Sequence, residues 1–529
     1  MCKGRIKLKH KIRCRIGKRI FLREISYIPI RYIIAMALTV LETLLIIGIV
    51  GVCCYYIPFF YVLAWIIEIG CVIHIASSDE NPDYKVPWLL VVMILPIAGF
   101  MLYFMFYSRK LKRKYIRRLK SLWESRAFEK GTSGEHALAQ LSTEAHSQAA
   151  MICRLADSHV YHAQGLTYYR LGEEMAKDLL IDLHGAKRYI FMEYFLIEEG
   201  ELWDGILQIL REKVREGVSV FLLYDDIGCM STLPGNYARR LKKDGISACP
   251  FARLRGNADS EFNNRNHRKI TVIDGRIGYT GGVNLADEYI NRIARFGHWK
   301  DSAIRIEGRA VYELTSLFVL DYGITARGEL PPPEILYPSI DENSSGEGFV
   351  VPFGDGPRPI YQTGVGKAAL QSLLTSAKRY VYMTTPYLVL DSALCGMIEH
   401  TARRGVDVRI IVPHVPDKRM VFEITRSYFP RLIAAGVRIY EYSPGFIHAK
   451  TYVVDDEYAI IGTINLDFRS LVHHFENAVW LYRAPIISEM RDDLLSTFER
   501  AKEITENDLS ISFLRRALRS VLRIFSPLL

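Results

Sequence analysis

The sequence predicts an α/β protein of two similar halves, preceded by an apolar helical region. Three observations carry that reading. Apolar stretches at about Tyr32–Cys54, Pro58–Ala76 and Trp88–Tyr107 occupy the first fifth of the chain. Beyond them, β-branched runs alternate with helical patterns such as Leu202–Val214, which gives β-α-β-α order. The alternation then occurs twice. Ala186-Lys-Arg-Tyr189 followed by IFMEYFLI returns as Ala377-Lys-Arg-Tyr380 followed by VYMTTPYL, and EGVSVFLLY (216–224) returns as RGVDVRIIV (404–412). A long repeat spacing of this kind signals domain duplication, not a solenoid.

Each apolar stretch approaches the roughly 20 residues that a helix needs to cross a bilayer, and the first is too long for a signal-peptide core. They are expected to be membrane anchors. Glu42 and Glu68 lie inside two of them, so they are expected to face each other, a neighbouring helix or water. Basic residues crowd residues 1–31 and 108–120, whereas the loop Ser77–Asp83 between them is acidic. The positive-inside rule puts both basic windows on the cytoplasmic side and the acidic loop outside. The expectation is a multi-pass protein of the cell membrane with a cytoplasmic catalytic region. The expected divisions are a basic N-terminus with transmembrane helices (1–120), a first α/β domain (150–330), a linker rich in Pro, Ser and Gly (331–348), a second domain (349–505) and a basic amphipathic helix (509–529).

The net charge of +10 could suggest nucleic acid. Because the two basic windows hold that excess, the large remainder is mildly acidic. This distribution suits attachment to anionic membrane lipids and argues against nucleic acid as a partner. The nine cysteines show no CxxC pair and no metal-ligand spacing, so free thiols are expected. Near the end, Leu514, Leu518, Val521 and Phe525 share one helical face, with Arg515, Arg516, Arg519 and Arg523 largely off it. Such a helix is suited to the headgroup layer.

Chemistry is concentrated in one pattern that occurs twice. NHRKITVIDGRIGYTGGVN supplies His267, Lys269, Asp274, Gly281, Gly282 and Asn284; IHAKTYVVDDEYAIIGTIN supplies His448, Lys450, Asp455, Gly462, Thr463 and Asn465. All six positions are displaced by the same 181 residues. In an extended segment His and Lys, two apart, share a face. The catalytic set is therefore His267, Lys269, Asp274, His448, Lys450 and Asp455. Within it, Asp274 and Asp455 fall at an odd offset and are read as strand-end groups that fix the hairpin or balance charge. Lys269, Lys450, Asn284 and Asn465 are expected to bind phosphate oxygens while an imidazole attacks phosphorus. The second histidine would protonate the departing alcohol and then deprotonate the incoming one. The lysines supply the charge that a metal would otherwise bring, so neither metal nor cofactor is expected. Three other features receive quieter readings: Gly364-Val-Gly-Lys367 as a helix start, Asp225-Asp226 as a loop pair at the site's rim, and His473-His474 as packed or solvated.

These residues resemble the phospholipase D superfamily, and the wider chain is similar to bacterial cardiolipin synthases. Supporting segments are NPDYKVPW, GGVNLADEY, HWKD (His298–Asp301), DFRS, FEN (Phe475–Asn477) and the final FSPLL. The resemblance implies two sandwich domains with one active site at their pseudo-twofold interface. It also implies transfer of a phosphatidyl group from one phosphatidylglycerol to another through a phosphohistidine, giving cardiolipin and glycerol. Phospholipase D proper and phosphatidylserine synthase are the alternatives. By the same likeness His267 is the nucleophile and Asp301 and Glu476 orient the histidines. His474 departs from the family, which often has Asn there.

Overall fold

The computed structural model describes residues 13–16, 19–22, 30–56, 58–78, 81–95, 97–106, 121, 133–253, 263–326, 330–340, 346–358, 360, 361 and 364–528. The basic window 108–120 and most of 1–31 lie outside them. Strands β1 (Arg13–Ile16) and β2 (Arg19–Leu22) form an antiparallel pair. Helices α1 (Ile30–Tyr56) and α2 (Pro58–Ser77) match the first two apolar stretches.

The third stretch does not make a single helix. It divides into α3 (Pro82–Ile94) and α4 (Ala98–Phe106), either side of Leu95-Pro96-Ile97. Proline lacks the amide that a continuing helix needs, which accounts for a break there. Among the described residues no helix is long and apolar enough to cross a membrane. What the helices do present is exposed apolar surface, including Leu41, Leu44 and Leu45 on α1 and Trp65, Ile66 and Ile73 on α2.

The end of the acidic segment, Asn81 and Asp83, packs on the second half. Asn81 caps α3 and donates to Asp391, Asp83 accepts from the amide and hydroxyl of Ser392, and the Tyr84 hydroxyl donates to the Phe468 carbonyl. Asn81, Asp83 and Tyr84 therefore tie the start of α3 to the second half.

The first sheet runs β4 (Thr167–Tyr169), β11 (Ala303–Glu307), β9 (Ile277–Gly281), β8 (Lys269–Ile273), β5 (Tyr189–Tyr194), β6 (Ser219–Asp225) and β7 (Ser247–Phe251). The second runs β20 (Ala501–Ile504), β15 (Arg438–Tyr442), β14 (Asp407–Pro413), β13 (Tyr380–Thr384), β17 (Thr451–Val454), β18 (Tyr458–Gly462), β19 (Glu476–Tyr482), β12 (Phe349–Asp355) and β3 (Tyr161–His162). The duplication is explicit in this order. β11-β9-β8-β5-β6-β7 repeats as β19-β18-β17-β13-β14-β15, with three parallel strands at one end and antiparallel strands at the other.

Both faces of each sheet are buried, so the strands read as continuous apolar runs. Phe191, Val272 and Ile304 of the first sheet share a core with Tyr382, Val453 and Val479 of the second. The opposite faces, Ile190 and Met192 in one case and Val381 and Met383 in the other, pack under helices. Described cysteines, among them Cys153, Cys229 and Cys395, are free thiols.

Two short crossings join the halves and position the site. β10 (His298–Lys300) pairs in parallel with β16 (Gly445–Ile447), and Asn266 bridges in parallel to Phe475. Each crossing puts the segment before a carboxylate of one half beside the segment before a histidine of the other.

Candidate active site

His267 and Lys269 lie at the entry of β8, and His448 and Lys450 at the entry of β17. The crossings bond the His267 amide to the Phe475 carbonyl at 2.9 Å and the His448 amide to the Lys300 carbonyl at 2.7 Å. The residues that follow those carbonyls are Glu476 and Asp301. His267 Nδ1 therefore lies 2.9 Å from Glu476, and His448 Nδ1 lies 2.7 Å from Asp301. Each histidine is completed by a carboxylate of the other half. With Nδ1–H donating to the carboxylate, Nε2 is the nitrogen left for chemistry.

The carboxylates are held in turn. Glu476 accepts from the Thr463 and Ser470 hydroxyls, and Asp301 accepts from the Ser302 amide. Gly282 occupies the position equivalent to Thr463. A Cβ there would collide with Asp301 Oδ1, so the absence of a side chain is what lets this carboxylate reach His448. The repeated Gly-Gly and Gly-Thr of the motifs thus serve the two carboxylates differently.

Burial dominates the electrostatics. It pushes His267 down to about 3 and His448 down to about 4, against the pull of their carboxylates, so both imidazoles are neutral in the empty site. Burial would raise Glu476 and Asp301, but His267 with His474 around the one, and His448 with Lys450 and the Ser302 amide around the other, together hold both carboxyls below their usual range. Burial lowers Lys269 to about 7, helped by Lys450, and lowers Lys450 to about 8, opposed by Asp301. Each lysine ammonium donates to the carbonyl of its own motif's histidine. The charge of Lys269 also bears on His448, which places the two sets in one electrostatic site.

Asp274 and Asp455 stand apart from this chemistry and do not belong with the reacting groups. Asp274 accepts from the amides of Lys187, Arg188 and Tyr189, and Asp455 from those of Lys378, Arg379 and Tyr380. Both adopt positive φ, 54° and 56°, at the ends of their strands. Each carboxylate ties the start of a parallel strand to the motif hairpin, which is the strand-end role that the spacing predicts. Asn284 also departs from expectation. Its amide is occupied at both ends, accepting from the Leu196 amide and donating to the Tyr289 hydroxyl. Asn465 keeps a buried Oδ1 with no partner among the described residues.

Other groups escaped sequence reasoning. Asp225 is not a rim residue; it is fully buried and accepts from the Arg265 guanidinium and the Asn266 amide. Arg268 donates to Asp321 at 2.7 Å and to the Glu476 carbonyl at 3.0 Å. The His267 segment is therefore held by buried ions, whereas His448 sits among Phe446, Ile447 and Ala449. The basic run Arg265-Asn-His-Arg268 was the available signal, since so many cations in a buried segment demand acids elsewhere.

The rings behind the histidines also differ. Trp299 lies 5.6 Å from His448 at 44°, and His474 lies 5.6 Å from His267 at 41°. His474 Nδ1 is 3.7 Å from Glu476. Ligand atoms of His267, His474 and Glu476 come within 4.8 Å of one another, a set that could hold a metal ion. His474 is thus packed, as expected, but against the site itself.

Known families and proteins are similar to this chain over both halves. The family described as cardiolipin synthase, PLD-like domain, matches residues 179–311 and 370–498, and a phospholipase D-nuclease N-terminal family matches 60–106. The chain is 37% identical over 470 residues to an uncharacterised protein of Streptococcus mutans, spanning 87% of this chain and 100% of that one. It is 34% identical over 470 residues to a cardiolipin synthase of Halalkalibacterium halodurans, spanning 88% and 92%. The crystal structure of phosphatidylserine synthase from Haemophilus influenzae shares the fold with TM-score 0.53 at 14% identity, over 72% of this chain and 98% of that one.

Proposed function

The chain belongs to the cardiolipin synthase family of phospholipase D-like phosphatidyltransferases, and from that premise we propose that it joins two phosphatidylglycerols into cardiolipin with release of glycerol. The observation that carries the reading is the exchanged pairing of His267 with Glu476 and His448 with Asp301 around two lysines.

In the first step His448 takes up a proton at Nε2 from solvent as the anionic phosphodiester binds beside it; His267 Nε2 attacks phosphorus of one phosphatidylglycerol, the bond to the glycerol oxygen breaks, and His448 gives that oxygen the proton. Glu476 accepts the Nδ1 proton and stabilises the charge that His267 acquires as its lone pair bonds to phosphorus. In the second step a hydroxyl of the acceptor lipid loses its proton to His448 and attacks the phosphohistidine, and the P–N bond breaks. Lys269 and Lys450 offset the non-bridging oxygens, an arrangement that the unpartnered Asn465 oxygen leaves room to adjust through its amide. The neighbouring rings support this division of roles. The indole of Trp299, 5.6 Å from His448, favours a proton there, since its π-system attracts cations, whereas His474 beside His267 disfavours one there.

The substrate resides in a bilayer, and the exposed apolar residues of α1 and α2 suit a chain attached to the membrane, with the catalytic halves on its cytoplasmic side. Purified protein given phosphatidylglycerol alone, in micelles containing EDTA, is expected to release cardiolipin and glycerol in equal amounts. His267→Ala and His448→Ala are each expected to abolish both products. Phosphatidic acid in their place would mean hydrolysis, and a requirement for a second lipid or a free alcohol would change the acceptor.

A further inference from the structure

The last helix, Phe513–Phe525, is attached the opposite way round from what its composition suggests. It carries four arginines and no acid. An amphipathic helix on a soluble body normally buries its apolar stripe. Here three of the four arginines face the body. Arg519 is 7% exposed and, with Arg515, donates to Glu423, while Arg523 lies 4.1 Å over the ring of Tyr428. Glu423 is held down at about 2 by those guanidinium groups. Four apolar residues point away, with Phe513 81%, Leu514 79%, Leu518 53% and Val521 51% exposed, while Leu522 packs against the core of the second half.

The neighbourhood of this face is also apolar. The segment after the helix runs back to the N-terminal helices, where Leu528 packs against the cluster of Cys71, Ile75, Trp88, Val92 and Tyr103. α3 touches both the last helix and this tail. α3 and α4 themselves expose Val86, Met93, Ile94, Met101 and Phe104. The last helix and the helices α2–α4 thus meet, and each leaves large apolar side chains outside the protein core.

We propose that the outward face of the helix Phe513–Phe525 is a membrane-docking surface, inserted among the acyl chains of a bilayer with the Glu423 clasp setting its angle. This deepens the membrane attachment proposed above, on which it rests. Two features favour lipid over a second copy of the chain. The face adjoins α3 and α4, which continue the helical region whose α1 and α2 are apolar over most of their described surface. Its flanking charges are all cationic, and the exposed Arg516 sits at the edge of the stripe, where phosphate headgroups would meet it. Anchored at both ends, the catalytic body would be held at one tilt over the lipid surface.

The test uses the full chain in phosphatidylglycerol–phosphatidylcholine vesicles, with photoreactive benzoylphenylalanine placed singly at Leu514, Leu518 or the exposed control Lys243. Mass spectrometry after illumination is expected to find lipid adducts at 514 and 518 and none at 243. Adduct yields at 514 and 518 no higher than at 243 would overturn the proposal, and so would crosslinks joining two copies of the chain. This readout needs no turnover, so it stands or fails separately from the assigned reaction. Where turnover is measured, Leu514→Glu combined with Leu518→Glu is expected to lower the rate on vesicles by about tenfold or more while leaving it within about twofold in detergent micelles. Equal rates for variant and parent on vesicles would also sink the idea.

Discussion

His267 Nδ1 lies 2.9 Å from a carboxylate oxygen of Glu476, a residue 209 positions away in the other half of the molecule. The pair fixes the imidazole tautomer and leaves Nε2 for attack. Glu476→Gln keeps the shape but turns an obligate acceptor into a group that can donate, so the wrong tautomer becomes available. A fall in turnover of about 10²–10⁴-fold is expected, with a smaller change in thermal stability. Asp301→Asn is expected to act likewise through His448. Single-turnover trapping of the phosphorylated histidine separates the two: Glu476→Gln slows its formation, and Asp301→Asn slows its consumption as well.

The lysines predict the alkaline limb of the pH profile. Lys269 is held at about 7 and Lys450 at about 8 in the empty site, so raising the pH through this window removes positive charge needed by the phosphate. Both histidines are already neutral from about 4 upward. kcat/KM is therefore expected to fall with rising pH from about 4, because His448 has to gain a proton, and to fall more steeply above about 7 as the lysines lose theirs. Lys269→Arg is expected to move the steeper fall to higher pH, because a guanidinium resists deprotonation, at the cost of a lower maximum. A profile that rises through pH 7 to 9 would contradict this assignment.

Gly282 offers a steric test. In Gly282→Ala the new methyl meets Asp301 Oδ1, and the carboxylate or the turn has to move. Activity is expected to drop by about 10²-fold, comparable with loss of an orienting carboxylate, and stability by about 1–3 kcal/mol. Thr463→Gly in the other half removes only a hydroxyl donor to Glu476, and a milder loss is expected.

Asp274 separates structural from chemical roles. Asp274→Ala deprives three backbone amides of their acceptor, and a loss of about 1–3 kcal/mol in denaturant unfolding is expected. Turnover per folded molecule, measured well below the unfolding temperature, is expected to stay within about threefold of the parent. A loss of a hundredfold with unchanged stability would return Asp274 to the reacting set.

Much of this site could be read before folding because the duplication printed it twice. The shared spacing of His, Lys, Asp and Asn marked both sets, and the odd offset of Asp274 was enough to separate it from the histidines' face. Asp225, Arg268 and Asp321 were not legible, since buried ion pairs join residues far apart in sequence and each partner alone resembles a surface charge. Asn284 carried the same signal as Asn465, yet only the fold reveals that Tyr289 and Leu196 use up its amide. The third apolar stretch had length and composition for one helix, and Pro96 inside it was the neglected warning. The direction of the last helix was hidden for a different reason. Periodicity locates an apolar stripe without saying which side faces inward, and a single acid, Glu423, decided it.

The exchanged carboxylates also make the reaction a check on assembly. A nascent or clipped chain holding only the first sheet carries His267 without Glu476, and one holding only the second carries His448 without Asp301. Neither fragment has an oriented imidazole, so neither can attack a phosphodiester efficiently. The cell is thereby spared a stray lipase during synthesis or degradation of the protein, because competence arrives only when both halves have closed on each other.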